Sequence, residues 1–438
     1  MLHFRRFVHK GSKYAGLFPV KFFNKKHKIP AHLYAADDQL VEQINNAIEP
    51  FIKQTKCDTA VEINPGIGLF TRKLINREDQ IRKIVLIETL DHFMSGLRDL
   101  HNLYPERVKV KHGDVLGLWK LMFQDNMDGG TRVADMLSDL PSREFNEEPI
   151  ALLFGAVGCY NFFKHLINSI VFQNGLLSWG RFEMYLAVPP PIYIHLTCSQ
   201  EIGYMLYRSS SMLFQMMFEY RFIARLPREQ FLPNQRKTSA TKGSKLYKVE
   251  SINPEYLYLV RIVPRRNFYD LCPINDLQAL WYFVKQNCIS RRNRIIPNLE
   301  KWVPGCGPRL IINSTSSESL HPLYPDENIS DLPHYSTRCT TMSNKDFFPR
   351  MNIFTQFGDL SPSQMLTLFT QFRHWPEYSE SSFLASLENT LIKMEASADE
   401  SGIGITEEDD VPSETALGEL NEFENEPTKR NRKSAKSN

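Results

Sequence analysis

Three short segments carry the residue types that could bind a nucleotide-like ligand. The sequence Glu62-Ile-Asn-Pro-Gly-Ile-Gly68 ends a β-rich run, and Gly66 and Gly68 let the backbone approach a ligand closely beside a helix N-terminus. Glu88 lies about 20 residues further on and could accept from both hydroxyls of a ribose, while Asp114 could accept from an adenine amino group. Together these residues predict a pocket for a ligand that contains adenosine.

The glycine spacing distinguishes between two classes of adenosine cofactor. A dinucleotide-binding turn would require a third glycine, but Arg72 follows Gly68 without one. The pattern therefore points to S-adenosylmethionine rather than to a nicotinamide dinucleotide, because S-adenosylmethionine has no pyrophosphate. In the absence of any ligand the same two glycines would simply turn the chain, and the spacing alone leaves that alternative open.

These residues need a sheet of alternating strands and helices to position them. Apolar runs of strand length alternate with helical patterns of about 10 to 15 residues, and this alternation predicts a parallel α/β sheet. The predicted strands are 59–63, 84–87, 108–112, 150–157 and 182–188.

A change of apolar period near residue 275 predicts a second domain. Before it, residues 218–226 and 256–263 are expected to form paired strands joined by a mobile loop at 236–248. After it, the apolar residues recur at helical spacing. The predicted organisation is a targeting segment at 1–28, an α/β domain at 29–266, a helical domain at 267–395 with a loop-rich insertion at 313–345, and a disordered tail at 396–438 that is acidic and then basic.

The segment 1–28 is strongly basic. It carries eight Lys and Arg residues, and no acidic residue precedes Asp37. Since apolar residues are interspersed and form no continuous core, the composition favours a mitochondrial presequence over a secretory signal. A basic arm that contacts nucleic acid is the alternative.

Composition argues against two other classes of protein. No run of about 18 uncharged apolar residues is present, so no membrane-spanning helix is predicted. The 7 Cys and 12 His show no metal-ligand spacing, so no metal site is predicted.

Several segments resemble the ribosomal RNA adenine N6-dimethyltransferases. Residues 61–71, VEINPGIGLFT, are similar to the first motif of that family, and Phe231-Leu-Pro233 is similar to the loop before its last strand. Leu33 and the helix predicted at 38–48 are similar to the segment that precedes the first motif. The resemblance covers about residues 30–395 and implies a Rossmann-like class I S-adenosylmethionine methyltransferase sheet domain followed by a small all-helical C-terminal domain. The cofactor-binding residues that it implies are Leu33, Asn64, Gly66, Gly68, Glu88, Asp114 and Gly155.

Three other segments are more similar to one branch of this family, the mitochondrial transcription factor B proteins. They are residues 177–184, 258–267 and 366–376, and the last is similar to the fungal members. The resemblance implies a mitochondrial matrix protein that helps the single-subunit mitochondrial RNA polymerase to recognise and melt promoter DNA, and that holds the non-template single strand between its two domains. The alternatives are an active mitochondrial rRNA adenine N6-dimethyltransferase and a non-catalytic protein that binds mitochondrial rRNA.

The sequence departs from the family at the catalytic loop. Methylating an exocyclic adenine nitrogen requires an Asn or Asp after the fourth strand, followed by a proline and an aromatic residue, because the acceptor positions the amine and the ring stacks on the flipped base. Here Gly155 stands in the place of the acceptor, and residues 189–193 (PPPIY) come too late and are expected to form a rigid turn. We therefore expect methyl transfer to be lost and S-adenosylmethionine to be a vestigial ligand that is not required.

Arginines beside aromatic residues predict a nucleic-acid-binding surface. Guanidinium groups contact phosphates, and aromatic rings stack on unpaired bases. Two solvated basic faces would show the same composition, but the family resemblance favours nucleic acid. Residues 265–268 are expected on the wall of a cleft between the two domains. The candidates are Arg181, Arg261, Arg265, Arg266, Phe268, Arg291 and Arg292.

Overall fold

The structure is a computed structural model that describes residues 13–24, 30–199, 206–234, 255–313 and 351–401. The predicted loop at 236–248 lies outside the described residues. So do the insertion at 313–345, apart from its first residue, and the tail at 396–438, apart from residues 396–401, which continue the last helix.

A nine-stranded mixed sheet forms the centre of the described structure. Its strands in chain order are β1 (His32–Ala35), β2 (Thr59–Ile63), β3 (Lys83–Glu88), β4 (Val108–His112), β5 (Ala151–Val157), β6 (Phe182–Val188), β7 (Phe218–Pro227), β8 (Phe231–Leu232) and β9 (Tyr256–Pro264).

The strand order is β4-β3-β2-β5-β6-β9-β7. The five strands from β4 to β6 are parallel, β9 is antiparallel to β6, and β7 is antiparallel to β9. The predicted α/β class and the predicted pairing of the last two long strands are therefore confirmed. β1 lies at the carboxyl end of β5, where it pairs antiparallel with β5 and with β8.

Helices flank the sheet and follow it. The first of them, α1, begins after Asp37, whose carboxylate accepts from the Gln39 amide and so caps the helix. The α-helices of the described residues are α1 (Asp38–Ile52), α2 (Leu69–Ile75), α3 (Asp91–Leu103), α4 (Leu118–Asp128), α5 (Arg132–Leu137), α6 (Tyr160–Val171), α7 (Pro190–Thr197), α8 (Ser209–Met217), α9 (Phe268–Leu271), α10 (Leu277–Asn287), α11 (Ile295–Leu299), α12 (Gly307–Asn313), α13 (Pro362–Arg373) and α14 (Ser382–Ser401).

The central strands are buried on both faces. Successive side chains of a strand point to opposite faces, so each strand contributes to two apolar cores. Val61 and Val85 belong to one core, and Ala60 and Ile84 belong to the other. Helices cover both faces, which explains why the strands are almost continuously apolar.

The C-terminal helices share the first of these cores. Phe283 of α10 and Phe369 of α13 are buried in the same cluster as Phe214 of α8 and the sheet residue Val61. The boundary predicted at residue 266 therefore separates elements that pack on one apolar core.

Residues 13–24 pack on the second core. They form two short 3-10 turns, and the side chains of Phe18 and Phe22 are buried. The targeting role predicted for residues 1–28 stays a prediction; in the structure, residues 13–24 of that segment also contribute buried side chains to the fold.

Candidate cofactor pocket and nucleic-acid face

The glycine turn after β2 has the backbone that was predicted. Asn64, Gly66 and Gly68 have φ angles of 53°, 60° and 72°, a region that favours glycine. A Cβ on Gly66 would lie 2.9 Å from Tyr34 Cδ1, and one on Gly68 would lie 2.8 Å from Leu100 Cδ1. Both glycines are therefore required by conformation and by space, and Gly68 directly precedes α2.

Glu88 lies at the end of β3 and is fully buried. Its carboxylate accepts from the Gly66 amide at 2.9 Å, the Leu90 amide at 2.8 Å and the Tyr34 hydroxyl at 3.2 Å. Burial raises the pKa of Glu88 above its usual range, although these hydrogen bonds oppose the shift. The carboxylate expected to bind a ribose is thus fully engaged by the protein itself.

Asp114 follows β4 and is also paired within the chain. Its Oδ1 lies 3.0 Å from His32 Nε2 and accepts from the Leu116 amide at 3.0 Å. Burial alone would raise the pKa of Asp114, but the hydrogen bond and charge of His32 lower it below its usual range. The carboxylate expected to bind an adenine amino group therefore already has a partner.

Strand β1 brings both partners into place. His32 and Tyr34 are two residues apart, so their side chains leave the strand on the same face. Leu33, between them, is buried and pairs with Ala156 of β5. The predicted pocket residues are therefore brought together, but β1 adds two groups that sequence analysis did not predict.

The arrangement does not fit S-adenosylmethionine as it stands. A ribose would need Glu88 to be accessible, and Glu88 has no exposed surface. An adenine amino group would compete with His32 for Asp114. The ribose of the cofactor would fit only after Tyr34 had released Glu88, and its adenine would share Asp114 with His32.

The end of β5 corrects the predicted position of the catalytic loop. Gly155 lies inside the strand, which continues to Val157, and a Cβ on Gly155 would lie 2.3 Å from Ile63 Cγ1. The loop before α6 consists of Gly158 and Cys159, and the Gly158 amide donates to the Ala31 carbonyl at 2.9 Å. Neither loop residue has a side-chain amide or carboxylate, so the expected acceptor is missing here as well.

The proline segment 189–193 forms a helix start rather than only a rigid turn. Pro189 precedes α7, and Pro190 is its first residue. A proline is tolerated at this position because the first backbone amide of a helix has no partner within the helix. Tyr193 is buried in the helix. The segment therefore offers no catalytic loop.

Three of the predicted nucleic-acid residues are buried instead. Arg181 donates to the Pro264 carbonyl at 3.1 Å, Arg265 donates to the Gln215 carbonyl at 3.1 Å, and Phe268 is fully buried. Because these side chains satisfy backbone groups or fill the core, none of the three is placed to contact nucleic acid, and the expectation that Arg265 and Phe268 line an open cleft is wrong.

Two other predicted arginines are paired with glutamates. Arg261 donates to Glu183 at 2.7 Å beside the sheet, and the exposed Arg266 lies 3.5 Å from Glu148 and donates to the Asn146 carbonyl. These ion pairs leave little positive charge for phosphate groups at this end of β9.

The remaining arginines form a different surface, the arginine ribbon, which consists of residues 289–295 and 352–358. Its two segments run antiparallel. The Ile295 amide donates to the Thr355 carbonyl at 3.0 Å, and the Phe357 amide donates to the Asn293 carbonyl at 2.9 Å. Gly358 permits this approach, because a Cβ there would lie 2.7 Å from the Arg291 carbonyl oxygen.

The ribbon presents basic and aromatic side chains together. Arg292 and Arg294 are exposed, and Arg294 Cζ lies 5.1 Å from the centre of the Phe354 ring. The Phe354 side chain is 63% exposed. Phe354 could not be predicted from the sequence because it is about 60 residues from the arginines, although an exposed aromatic residue beside guanidinium groups is typical of single-strand binding.

Two predicted absences concern membranes and metals. In residues 13–24, 30–199, 206–234, 255–313 and 351–401, no helix is long and apolar enough to cross a membrane. The same residues contain no group of three or more His, Cys, Asp or Glu side chains that could bind a metal ion.

Comparison with known proteins gives one family and one near relative. The family described as "Ribosomal RNA adenine dimethylase" matches residues 23–308. The protein named "Dimethyladenosine transferase 2, mitochondrial" from Drosophila melanogaster is 58% identical over 429 residues, which is 97% of this chain and 95% of that protein. Among solved structures, the 23S rRNA methyltransferase ErmE is 12% identical, with a TM-score of 0.38, and the match covers 77% of this chain and 98% of that chain.

Proposed function

The chain belongs to the ribosomal RNA adenine dimethylase family, and we propose that it is a member of this family that binds nucleic acid without transferring a methyl group. We propose that it acts in the mitochondrial matrix; the name of its Drosophila relative supports a mitochondrial location. There it serves as an initiation factor that helps the single-subunit mitochondrial RNA polymerase to recognise and melt promoter DNA.

The loop between β5 and α6 is the observation that carries the proposal. Transfer to an adenine amine requires a side-chain oxygen that accepts from the amine while the base is held by stacking. Gly158 and Cys159 provide neither group, and Gly155 has no room for a side chain. The fold therefore has the family's architecture without the group that the reaction needs.

The arginine ribbon supports nucleic acid as the partner. Its guanidinium groups can contact phosphates of any strand, whereas the exposed Phe354 ring can stack only on a base that is unpaired. A surface of this kind favours single strands over duplex, which is the preference that promoter melting requires. The similarity of residues 177–184, 258–267 and 366–376 to the mitochondrial transcription factor B proteins favours promoter DNA, with its non-template strand as the ligand, over rRNA.

Methyl transfer can be tested directly with the full chain. Incubation with labelled S-adenosylmethionine and a hairpin of small-subunit rRNA should give no dimethyladenosine, because the loop between β5 and α6 has no side-chain amide or carboxylate. An active bacterial dimethyltransferase on the same hairpin provides the positive control. Dimethyladenosine formed by this protein, and lost on Asp114→Ala, would show that it is an rRNA adenine dimethyltransferase instead.

A further inference from the structure

The N-terminal strap, residues 13–24, lies against the residues of the predicted cofactor pocket. The Phe22 ring is stacked on Tyr34 with the ring centres 5.4 Å apart, and the Phe18 ring meets the edge of Phe93 at 5.7 Å. Tyr34 itself contacts Phe93 at 5.2 Å between ring centres. Four aromatic side chains thus form one cluster, and Tyr34 connects this cluster to the glycine turn.

Polar contacts to three separate elements anchor the strap. The Tyr14 hydroxyl donates to the Asp38 carboxylate of α1 at 3.0 Å, and His92 Nε2 of α3 lies 2.9 Å from the Leu17 carbonyl. The Asn234 amide, after β8, donates to the Phe22 carbonyl at 2.8 Å. Contacts from three directions define a docked segment, whose two inward-facing rings are covered while Val20 between them is 82% exposed.

Tyr34 connects the strap to the pocket's key carboxylate. Its hydroxyl donates to Glu88, as a ribose hydroxyl would, and its ring occupies the space above Gly66. Phe22 is stacked on that ring. Planar rings and one hydroxyl donor therefore stand where a nucleoside would present a planar base and hydroxyl donors.

We infer that the strap and Tyr34 together are an internal occupant of the cofactor pocket, so that S-adenosylmethionine binds only after the strap has left. The inference concerns the pocket alone and goes beyond the proposed function, since it does not depend on which nucleic acid the protein binds. The apparent affinity for the cofactor is reduced by the fraction of molecules in which the pocket is open. Opening the strap should raise that affinity by the same factor.

A matched pair of substitutions in the full chain tests this inference. Phe22→Asp places a charge on the buried face of the strap and should open it, whereas Val20→Asp makes the same kind of change at an exposed position two residues away. Calorimetric titration with S-adenosylmethionine should show at least tenfold tighter binding to the Phe22→Asp variant than to the wild type, and no change for the Val20→Asp variant. A folded Phe22→Asp variant with wild-type affinity would overturn the inference.

A second measurement needs no substitution. Hydrogen exchange of the wild-type protein at high concentrations of S-adenosylmethionine should show faster exchange of the amides in 14–24, because the cofactor and the strap exclude each other. Binding of the cofactor with unchanged protection of these amides would equally overturn the inference.

Discussion

Replacing Phe283 by alanine should lower the free energy of unfolding by about 3 to 5 kcal/mol. Phe283 is fully buried, and the centre of its ring lies 5.4 Å from that of Phe372, 5.5 Å from that of Phe369 and 6.0 Å from that of Phe357. The substitution would leave a cavity at the point where α10, α13 and the segment before α13 meet. Chemical denaturation followed by circular dichroism measures the loss.

The same substitution at an exposed ring is the control. Phe354→Ala removes an equal volume from the arginine ribbon and should change the free energy of unfolding by less than about 0.5 kcal/mol. Because the C-terminal helices share the first core with the sheet, Phe283→Ala should shift the whole unfolding transition. A separate early transition of helical signal alone would show that residues 267–395 unfold as an independent domain.

Stability should fall as the pH rises from about 4.5 to 8, and Glu62 should cause a large part of this change. Glu62 is buried in β2, where burial raises its pKa to about 8, and the Thr71 hydroxyl donates to it at 2.6 Å. In the unfolded chain its pKa returns to the model-compound value of 4.5. Between these two values the folded protein retains a proton that the unfolded chain releases, so folding becomes less favourable with each step in pH.

The effect is on the order of 5 kcal/mol, since the two pKa values differ by about 3.5 and each unit of difference corresponds to about 1.4 kcal/mol. Glu62→Gln should remove most of this slope and be more stable than the wild type at pH 8, because a neutral amide can still accept from Thr71. Urea denaturation at several pH values measures the slope, with Glu106→Gln at an exposed position as the control. Parallel pH profiles of wild type and Glu62→Gln would contradict a protonated Glu62.

Local patterns were sufficient to predict the centre of the pocket. The turn between β2 and α2 requires positive φ angles within a few residues, and Gly66 and Gly68 show this requirement directly in the sequence. The strand ending at Glu88 is a continuous apolar run, and the strand before Asp114 alternates apolar and polar residues; an amino-acid sequence shows both patterns without any knowledge of tertiary contacts.

Contacts between distant residues could not be predicted in the same way. His32 pairs with Asp114 across 82 residues, and Tyr34 pairs with Glu88 across 54 residues. Strand β1 has only four residues, too few for a period to be recognised. The packing of the strap was not predicted because the eight Lys and Arg residues of 1–28 dominate the composition of that segment, while the two phenylalanines that anchor the strap are separated by three other residues.

The burial of the arginines at the end of β9 could not be predicted for a different reason. A run of arginines next to aromatic residues is the same in sequence whether the side chains face solvent or backbone carbonyls. Arg265 and Phe268 face inward because β9 ends against α8, where the Arg265 side chain donates to Gln215 and its amide donates to Met217. Only the neighbouring elements determine which side of the chain is covered.

Promoter melting should depend on the arginine ribbon. Unpairing DNA costs about 1.4 kcal/mol for each base step, and a stacked base contributes about 1 to 3 kcal/mol that is available only after melting. An Arg292→Ala, Phe354→Ala double variant should therefore lose at least fivefold in initiation on duplex promoters and much less on templates with a pre-melted start site. Ile353→Ala, an exposed neighbour without a ring, should behave as the wild type.

Run-off transcription by the purified single-subunit mitochondrial RNA polymerase, at fixed salt on duplex and pre-melted templates, is the most direct measurement of the proposed role. The wild-type protein should increase transcription strongly on the duplex promoter. The double variant should lose this increase on the duplex promoter and not on the pre-melted template. A polymerase that initiates equally well on the duplex with and without the wild-type protein would contradict the proposed function.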